Sequence, residues 1–162
     1  MESIKREQHA SAEYDDFNVF KKNFIERDLN TLDQSGRNML QRAIVGKKFD
    51  TAKYLIDKGI DTDIVWAQKG SSILHLIAEY QDIEIAKLLL DKGADINIRD
   101  KYGNSAMWTA VFNCKGRNYE MVELFMKYQP DITTKNNAGR SPLDFAMQVN
   151  NQRLIDILQG KS

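Results

Sequence analysis

Apolar and polar positions along the chain fall into the same order four times over. Four segments align on a glycine: "SGRNMLQRAI" at Gly36, "KGSSILHLIA" at Gly70, "YGNSAMWTAV" at Gly103 and "AGRSPLDFAM" at Gly139, at intervals of 34, 33 and 36 residues. After each glycine come one variable residue, a capping polar residue and an apolar pair. A second block follows: "FDTAKYLIDKGIDTD", "IEIAKLLLDKGADIN", "YEMVELFMKYQPDIT" and the shorter "QRLIDILQGK". A sustained period of this length marks a repeat architecture. Asn38, Ser72, Ser105 and Ser141 stand where a helix should begin, each able to accept from orphan amides. Gln41 follows Asn38 by three residues and Asp144 follows Ser141 by three, both capping-box patterns. Pro142 suits a first helical position, where its missing N–H does no harm. Ile85, Leu88 and Leu89 recur at helical spacing in the second block. Gly59 and Gly93 end that block, since glycine reaches the left-handed conformation cheaply. Each unit therefore reads as helix, turn, helix and an extended loop.

Upstream, Phe17, Phe20 and Phe24 share one helical face and are expected to cap the stack, whose apolar end would otherwise be wet. Residues 1–13 show no clear pattern and are expected to be mobile. Phe145, Leu154, Ile155 and Leu158 are expected to bury the last unit, closed by the polar "QGKS".

The stretch "GSSILHLIAEYQDIEIAKLLLDKGADINIRD" resembles the ankyrin-repeat pattern G-x-T-P-L-H-x-A followed by V-x-L-L-x-x-G-A-D-V-N, with Ser72 for Thr and Ile73 for Pro. The resemblance runs from about Asp28 to the carboxyl end, "DLN" at Asp28–Asn30 standing where "DIN" stands later. It implies an all-α solenoid of helix-turn-helix units joined by β-hairpin-like loops, spanning 1–162 as one domain. Residues 14–32 are then an N-terminal cap, 33–64, 65–98 and 99–134 are repeats, and 135–162 a C-terminal repeat and cap. The third unit departs from the family pattern, with Trp108 in the histidine position, Gln129-Pro130 for Gly-Ala, and three extra residues in "FNCKGRNYE" that lengthen its inter-helix turn. The loop "DTDIVWAQKG" carries one extra residue.

Charge narrows the classes of partner. Lys plus Arg equals Asp plus Glu, 23 against 23, so no net field draws in nucleic acid or an anionic membrane. No apolar run approaches the roughly 18 residues of a membrane span, and "MESIKREQHASAEYDDF" lacks the apolar centre of a secretory signal. Cys114 is the one cysteine, so no intrachain disulfide can form and a reducing, cytoplasmic location is expected.

Candidates for chemistry fall away one by one. The family resemblance gives His75 a structural role, bonded to neighbouring backbone and tying adjacent repeats, and no second titratable group is set beside it as a catalytic partner. His9 lies in the weakly patterned start, so a two-histidine metal site is not expected. Cys114 has Lys115 and Arg117 nearby but no local histidine, and reads as a turn or core cysteine. "VGKK" at Val45 lacks phosphate-loop spacing, and "DTDIVW" at Asp61 has Trp66 where a calcium loop needs glycine. Asp61, Asp95 and Asp131 recur in phase, which points to scaffold. No catalytic residue, metal or cofactor is expected.

What remains is a surface. Stacked repeats contribute equivalent positions to one continuous concave face, formed in the family by hairpin tips and the exposed side of each first helix. Carried onto this chain, the expected partner-binding residues are Trp66, Lys69, Ser71, Tyr80, Lys101, Tyr102, Asn104, Phe112, Asn113 and Arg140. Aromatic groups and arginine dominate binding hot spots. The alternative for Trp66 and Phe112 is packing on neighbouring repeats, and Trp108 reads as core. The expected function is a non-enzymatic module, monomeric when free, that grips a protein partner and no nucleic acid or membrane. "GNSAMWTAVFNCKGRNYEMVELFMKYQPDITTKNNAGRSPLDFA" also resembles compact bacterial ankyrin proteins, some of which are immunity partners that neutralise a toxin. The alternative is an assembly protein that uses the same face for self-association.

Overall fold

The structure, a computed structural model, describes residues 2–161, with side chains described from Glu7 onward. The described residues form ten α-helices in five consecutive pairs: α1 Glu2–Tyr14 with α2 Phe17–Asn23, α3 Met39–Val45 with α4 Phe49–Asp57, α5 Ile73–Tyr80 with α6 Ile83–Asp91, α7 Ala106–Asn113 with α8 Glu120–Met126, and α9 Pro142–Gln148 with α10 Gln152–Leu158. First helices stack on first helices, α1 on α3 and so on to α9, and second helices stack likewise from α2 to α10. The result is a two-layer, all-α repeat solenoid. The described residues contain no strand, only isolated antiparallel bridges at Trp66–Ser71 and Arg99–Ser105 inside the loops.

Helices α2 to α10 have 7 to 9 residues each. Helices that short are unstable alone in water, so their order comes from end caps and burial between layers. The caps read from the sequence are present. Asn38 Oδ1 accepts from the Gln41 N–H at 3.0 Å while Gln41 Oε1 accepts from the Asn38 N–H at 3.1 Å. Ser141 and Asp144 make the same reciprocal pair at 3.0 and 2.9 Å. Met39, Leu40, Ile44, Ile73, Leu74, Ile77, Leu55 and Leu89 are fully buried between the layers. Each such side chain contributes roughly 1.5–3 kcal/mol by leaving water.

The start of the chain is helical despite its weak pattern: α1 covers all but the first of residues 1–13, and Gln8, His9, Ala12 and Glu13 are buried. The overlooked signal is "HASAEY" at His9, which parallels "HLIAEY" at His75. His9 even repeats the later geometry: its Nε2 lies 2.9 Å from the Thr31 carbonyl, as His75 Nε2 lies 2.9 Å from that of Asn104. The first pair is a divergent unit. The α1 and α3 backbones meet at Gly46, where a Cβ would lie 2.1 Å from the Glu13 carbonyl oxygen. Phe17, Phe20 and Phe24 surround the Tyr54 ring of α4 at centroid distances of 5.7, 6.4 and 5.5 Å.

Second helices end as the glycines require, with φ of +79° at Gly59 and +90° at Gly93. After α8 the left-handed position falls to Gln129, φ +52°, directly before Pro130. A side chain there carries steric strain, and proline further restricts the residue preceding it. Gln129→Gly is therefore expected to raise stability by about 0.5–1 kcal/mol, read as a higher urea midpoint at unchanged slope. No change in midpoint would show that the strain is relieved elsewhere.

Candidate functional site

The loops between units are short hairpins with a common construction. Asp33, Asp100 and Asn136 each start one, and each Oδ1 accepts two backbone N–H groups, those of Ser35 and Arg37, Tyr102 and Asn104, and Ala138 and Arg140. Gly36, Gly103 and Gly139 close these turns at positive φ. In the second hairpin Trp66 stands in place of the Asp or Asn. With no side-chain acceptor to organise the turn, the Trp66 carbonyl takes over, accepting from Lys69 and Gly70 N–H at 3.0 and 2.7 Å across the extra residue.

Neighbouring hairpins are tied at tip and root. The Lys101 N–H donates to the Lys69 carbonyl at 3.0 Å, and the Asn137 N–H to that of Tyr102 at 2.9 Å. At the roots, Asn30, Asp63 and Asn97 accept in turn from the backbone N–H of Asp61, Asp95 and Asp131. The in-phase aspartates are thus rungs of the scaffold. Asp131 is held down to about 2, first by the Thr134 hydroxyl and then by the Thr134 and Thr133 amides.

His75 belongs to the same lacework. A carbonyl can only accept, so Nε2 must carry the hydrogen toward Asn104 O, and Nδ1 accepts from the Ser72 N–H at 3.2 Å. Burial pushes its pKa below the ordinary histidine value. Both ring nitrogens are engaged in holding a hairpin against a helix. Cys114 is buried with Sγ 3.1 Å from the Val111 carbonyl. Among the described residues no three His, Cys, Asp or Glu groups gather as a metal site, and no helix is long and apolar enough to cross a membrane.

Of the ten expected partner-binding residues, the structure gathers Lys69, Ser71, Lys101 and Tyr102 around one groove of about 300 Å³. Leu76 and the exposed Glu79 of α5, Thr109 of α7, His75 and Asp100 line it with them. Tyr102 is 58% exposed at the rim. Leu76 and Thr109 were missed because their spacing matches that of core positions. Trp66 stands half-buried behind the rim, with the Arg37 guanidinium 5.3 Å and Lys69 Nζ 4.8 Å from its ring centre. Packing on a neighbouring repeat, the alternative entertained for Trp66, is thus part of its environment.

Phe112, 54% exposed, heads a separate cluster. Its ring stacks on Trp108 at 5.4 Å, and Phe145 lies 5.8 Å from it and 5.5 Å from Trp108. Trp108 and Phe145, both read as burying residues, are half-buried members of this patch. Trp108 also leaves its buried Nε1 without a partner, so it does not reproduce the tie that His75 makes one unit earlier. Arg99 helps secure that seam instead, its guanidinium donating to the Gly103 and Lys135 carbonyls.

The remaining residues are dispersed. Tyr80 lines a different depression, with Lys47 and Phe49, beside the turns joining first to second helices. Asn104 spends its carbonyl on His75 and its side chain on Asn136 and Asp100. Asn113 bonds back to the Thr109 carbonyl, and Arg140 is exposed with its guanidinium on Gln148 Oε1 at 3.1 Å. A further feature had no sequence signal: Arg42 of α3 bridges Asp33 of the first hairpin, Nε–Oδ2 2.6 Å, and Glu13 of α1. Asp33 sits at about 2, lowered against its own burial by the Arg37 and Ser35 donors and by Arg42.

Comparison with known proteins gives the same repeat. A family model described as "Ankyrin repeats (3 copies)" matches residues 8–100 and 66–136. Human B-cell lymphoma 3 protein is 33% identical over 136 residues, 83% of this chain and 28% of that protein. An ankyrin repeat protein of Acanthamoeba polyphaga mimivirus is 35% identical over 66 residues, 41% of this chain and 9% of that protein. One from Rickettsia bellii is 31% identical over 65 residues, 40% of this chain and 37% of its own length. The chain thus spans well under half the length of each of these relatives.

Proposed function

Since the chain belongs to the ankyrin-repeat family, whose members generally mediate protein–protein interaction, we propose that it is a non-enzymatic module gripping a protein partner by the face of hairpin tips and first helices. The observation that carries this reading is the groove. Four of the expected residues meet there, Tyr102 stands largely in solvent, and the hairpins that present them are hydrogen-bonded to one another. A surface already locked in place loses little freedom when a partner arrives, which favours affinity. The half-exposed Phe112 patch adds an apolar anchor, of the kind that dominates interface energetics.

Tyr102→Arg and Phe112→Arg are each expected to weaken partner capture by about tenfold or more, a loss typical of a hot spot. Circular dichroism should be unchanged, because both side chains lie largely outside the core. Undiminished capture by a set of such variants would remove the face from consideration. A toxin whose active site this face covers is one such partner; rescue of cells expressing a neighbouring toxin gene is the result that would identify it. In the assembly reading the face meets a second copy instead, and light scattering at micromolar concentration separates the two.

A further inference from the structure

Several cations elsewhere on the molecule are paired: Lys53 lies 2.6 Å from Glu84, Lys87 2.8 Å from Asp91, Lys92 3.7 Å from Asp57 and Arg153 3.6 Å from Glu123. At the groove, Lys69 and Lys101 make no ion pair among the described residues. Their backbones are joined by the 3.0 Å hydrogen bond between hairpins, which fixes the two residues on adjoining tips. Lys69 rests on the Trp66 ring at 4.8 Å and Lys101 on that of Tyr102 at 5.1 Å, with Lys101 Nζ also donating to the Gln68 carbonyl at 3.3 Å.

Two carboxylates, Glu79 and Asp100, line the same groove, and neither makes an ion pair with these lysines among the described residues. Asp100 is spent on the Tyr102 and Asn104 amides, and Asp33 on Arg42 and the first hairpin. Exposed lysines that make no ion pair within the chain keep their charge for a partner. Their use lies in what they meet.

We infer that the occupant of the groove is an acidic stretch of a protein partner, its carboxylates seated on Lys69 and Lys101 and an apolar side chain against Tyr102. This rests on the binding face proposed above and adds the chemistry of the partner. Nucleic acid fits less well. The chain has no net charge, so no extended field is present to hold a phosphate backbone.

Short random peptides displayed on phage and selected on the full chain provide the test. The selected pool should be rich in Asp and Glu beside an aromatic or aliphatic residue. Its binding should fall about tenfold or more for the Lys69→Glu/Lys101→Glu double variant at about 0.05 M salt, and by much less at about 0.5 M, where charge is screened. Neutral or basic peptides that are lost on Tyr102→Arg would overturn the acidity while leaving the face intact. Peptides indifferent to every change at the groove would defeat the face itself, and failure to select any binder would count against both. An oligothymidylate bound as tightly as the acidic peptides would overturn the choice of protein.

Discussion

Gly46→Val detaches the first helix from the stack: that is the expected result, and one of the two largest stability losses anticipated here. Gly46 has an ordinary negative φ of −74°, so its conformation does not demand glycine. What demands it is the Glu13 carbonyl oxygen, 2.1 Å from where any Cβ would stand. Protein interiors are too densely packed to absorb such an overlap. Because the contact is with backbone, a rotamer change cannot relieve it, and α1 must move as a body. Moving it strains the Glu13–Arg42–Asp33 bridge and uncovers the α3 side chains beneath. A loss of about 2–4 kcal/mol is expected, at or beyond the upper end of ordinary overpacking. Deleting residues 1–15 sets the ceiling, since a clash cannot cost more than the helix it expels. Urea melts of both variants, with hydrogen exchange at Ala12, provide the check. Unaltered protection at Ala12 in the valine variant would mean that α1 does not sit against Gly46.

The second large effect is at His75. His75→Ala leaves the Asn104 carbonyl and the Ser72 N–H without their partner and opens a cavity in a buried site. Unsatisfied buried groups and lost packing together should cost roughly 3 kcal/mol. The molecule carries its own control. At the equivalent position one unit earlier, Gln41 donates Nε2–H to the Ile64 carbonyl at 2.9 Å and accepts from Asn38 N–H at 3.1 Å, doing the same work with an amide. His75→Gln should therefore recover most of what alanine loses. A catalytic or metal-binding histidine would not be rescued in this way.

The pair also predicts a pH dependence of definite sign. Burial lowers the folded-state pKa of His75, with the Asn104 carbonyl and Asp100 acting weakly in the opposite direction. Below the unfolded value of about 6.5, the unfolded chain binds more protons at this site than the folded one, so stability falls as pH falls. The contribution of the neutral ring is complete above that value and drains away toward the lower folded pKa. The His75→Gln variant should lose less stability than the parent between about pH 7 and pH 5. Parallel curves for the two proteins would mean that the ring is not held neutral.

Much of this architecture was legible because its signals are local. A capping residue and its partner lie three positions apart, a helix stop is one glycine, and the repeat reports itself through spacing. Local signals also misled. "HASAEY" at His9 lacks the glycine and capping serine that precede "HLIAEY" at His75, so the first unit has no local signature and is defined by its packing on α3. Phe145 and Trp108 fall on helical positions that normally turn inward. Only the neighbouring unit decides that their rings gather with Phe112 at the surface.

The division follows from range. The amino-acid sequence by itself determined the helices after α1 and their caps, which depend on residues within a turn or two of one another, and the repeat and hence the family, which follow from the recurrence of those local signals. Tertiary structure alone decided that Lys69 and Lys101 share one groove while Tyr80 lies elsewhere, and that Arg42 locks α1 through Glu13. Those neighbours are about one repeat apart in the chain. Contact between them is set by how one helical pair seats on the next, and no local pattern records that seating.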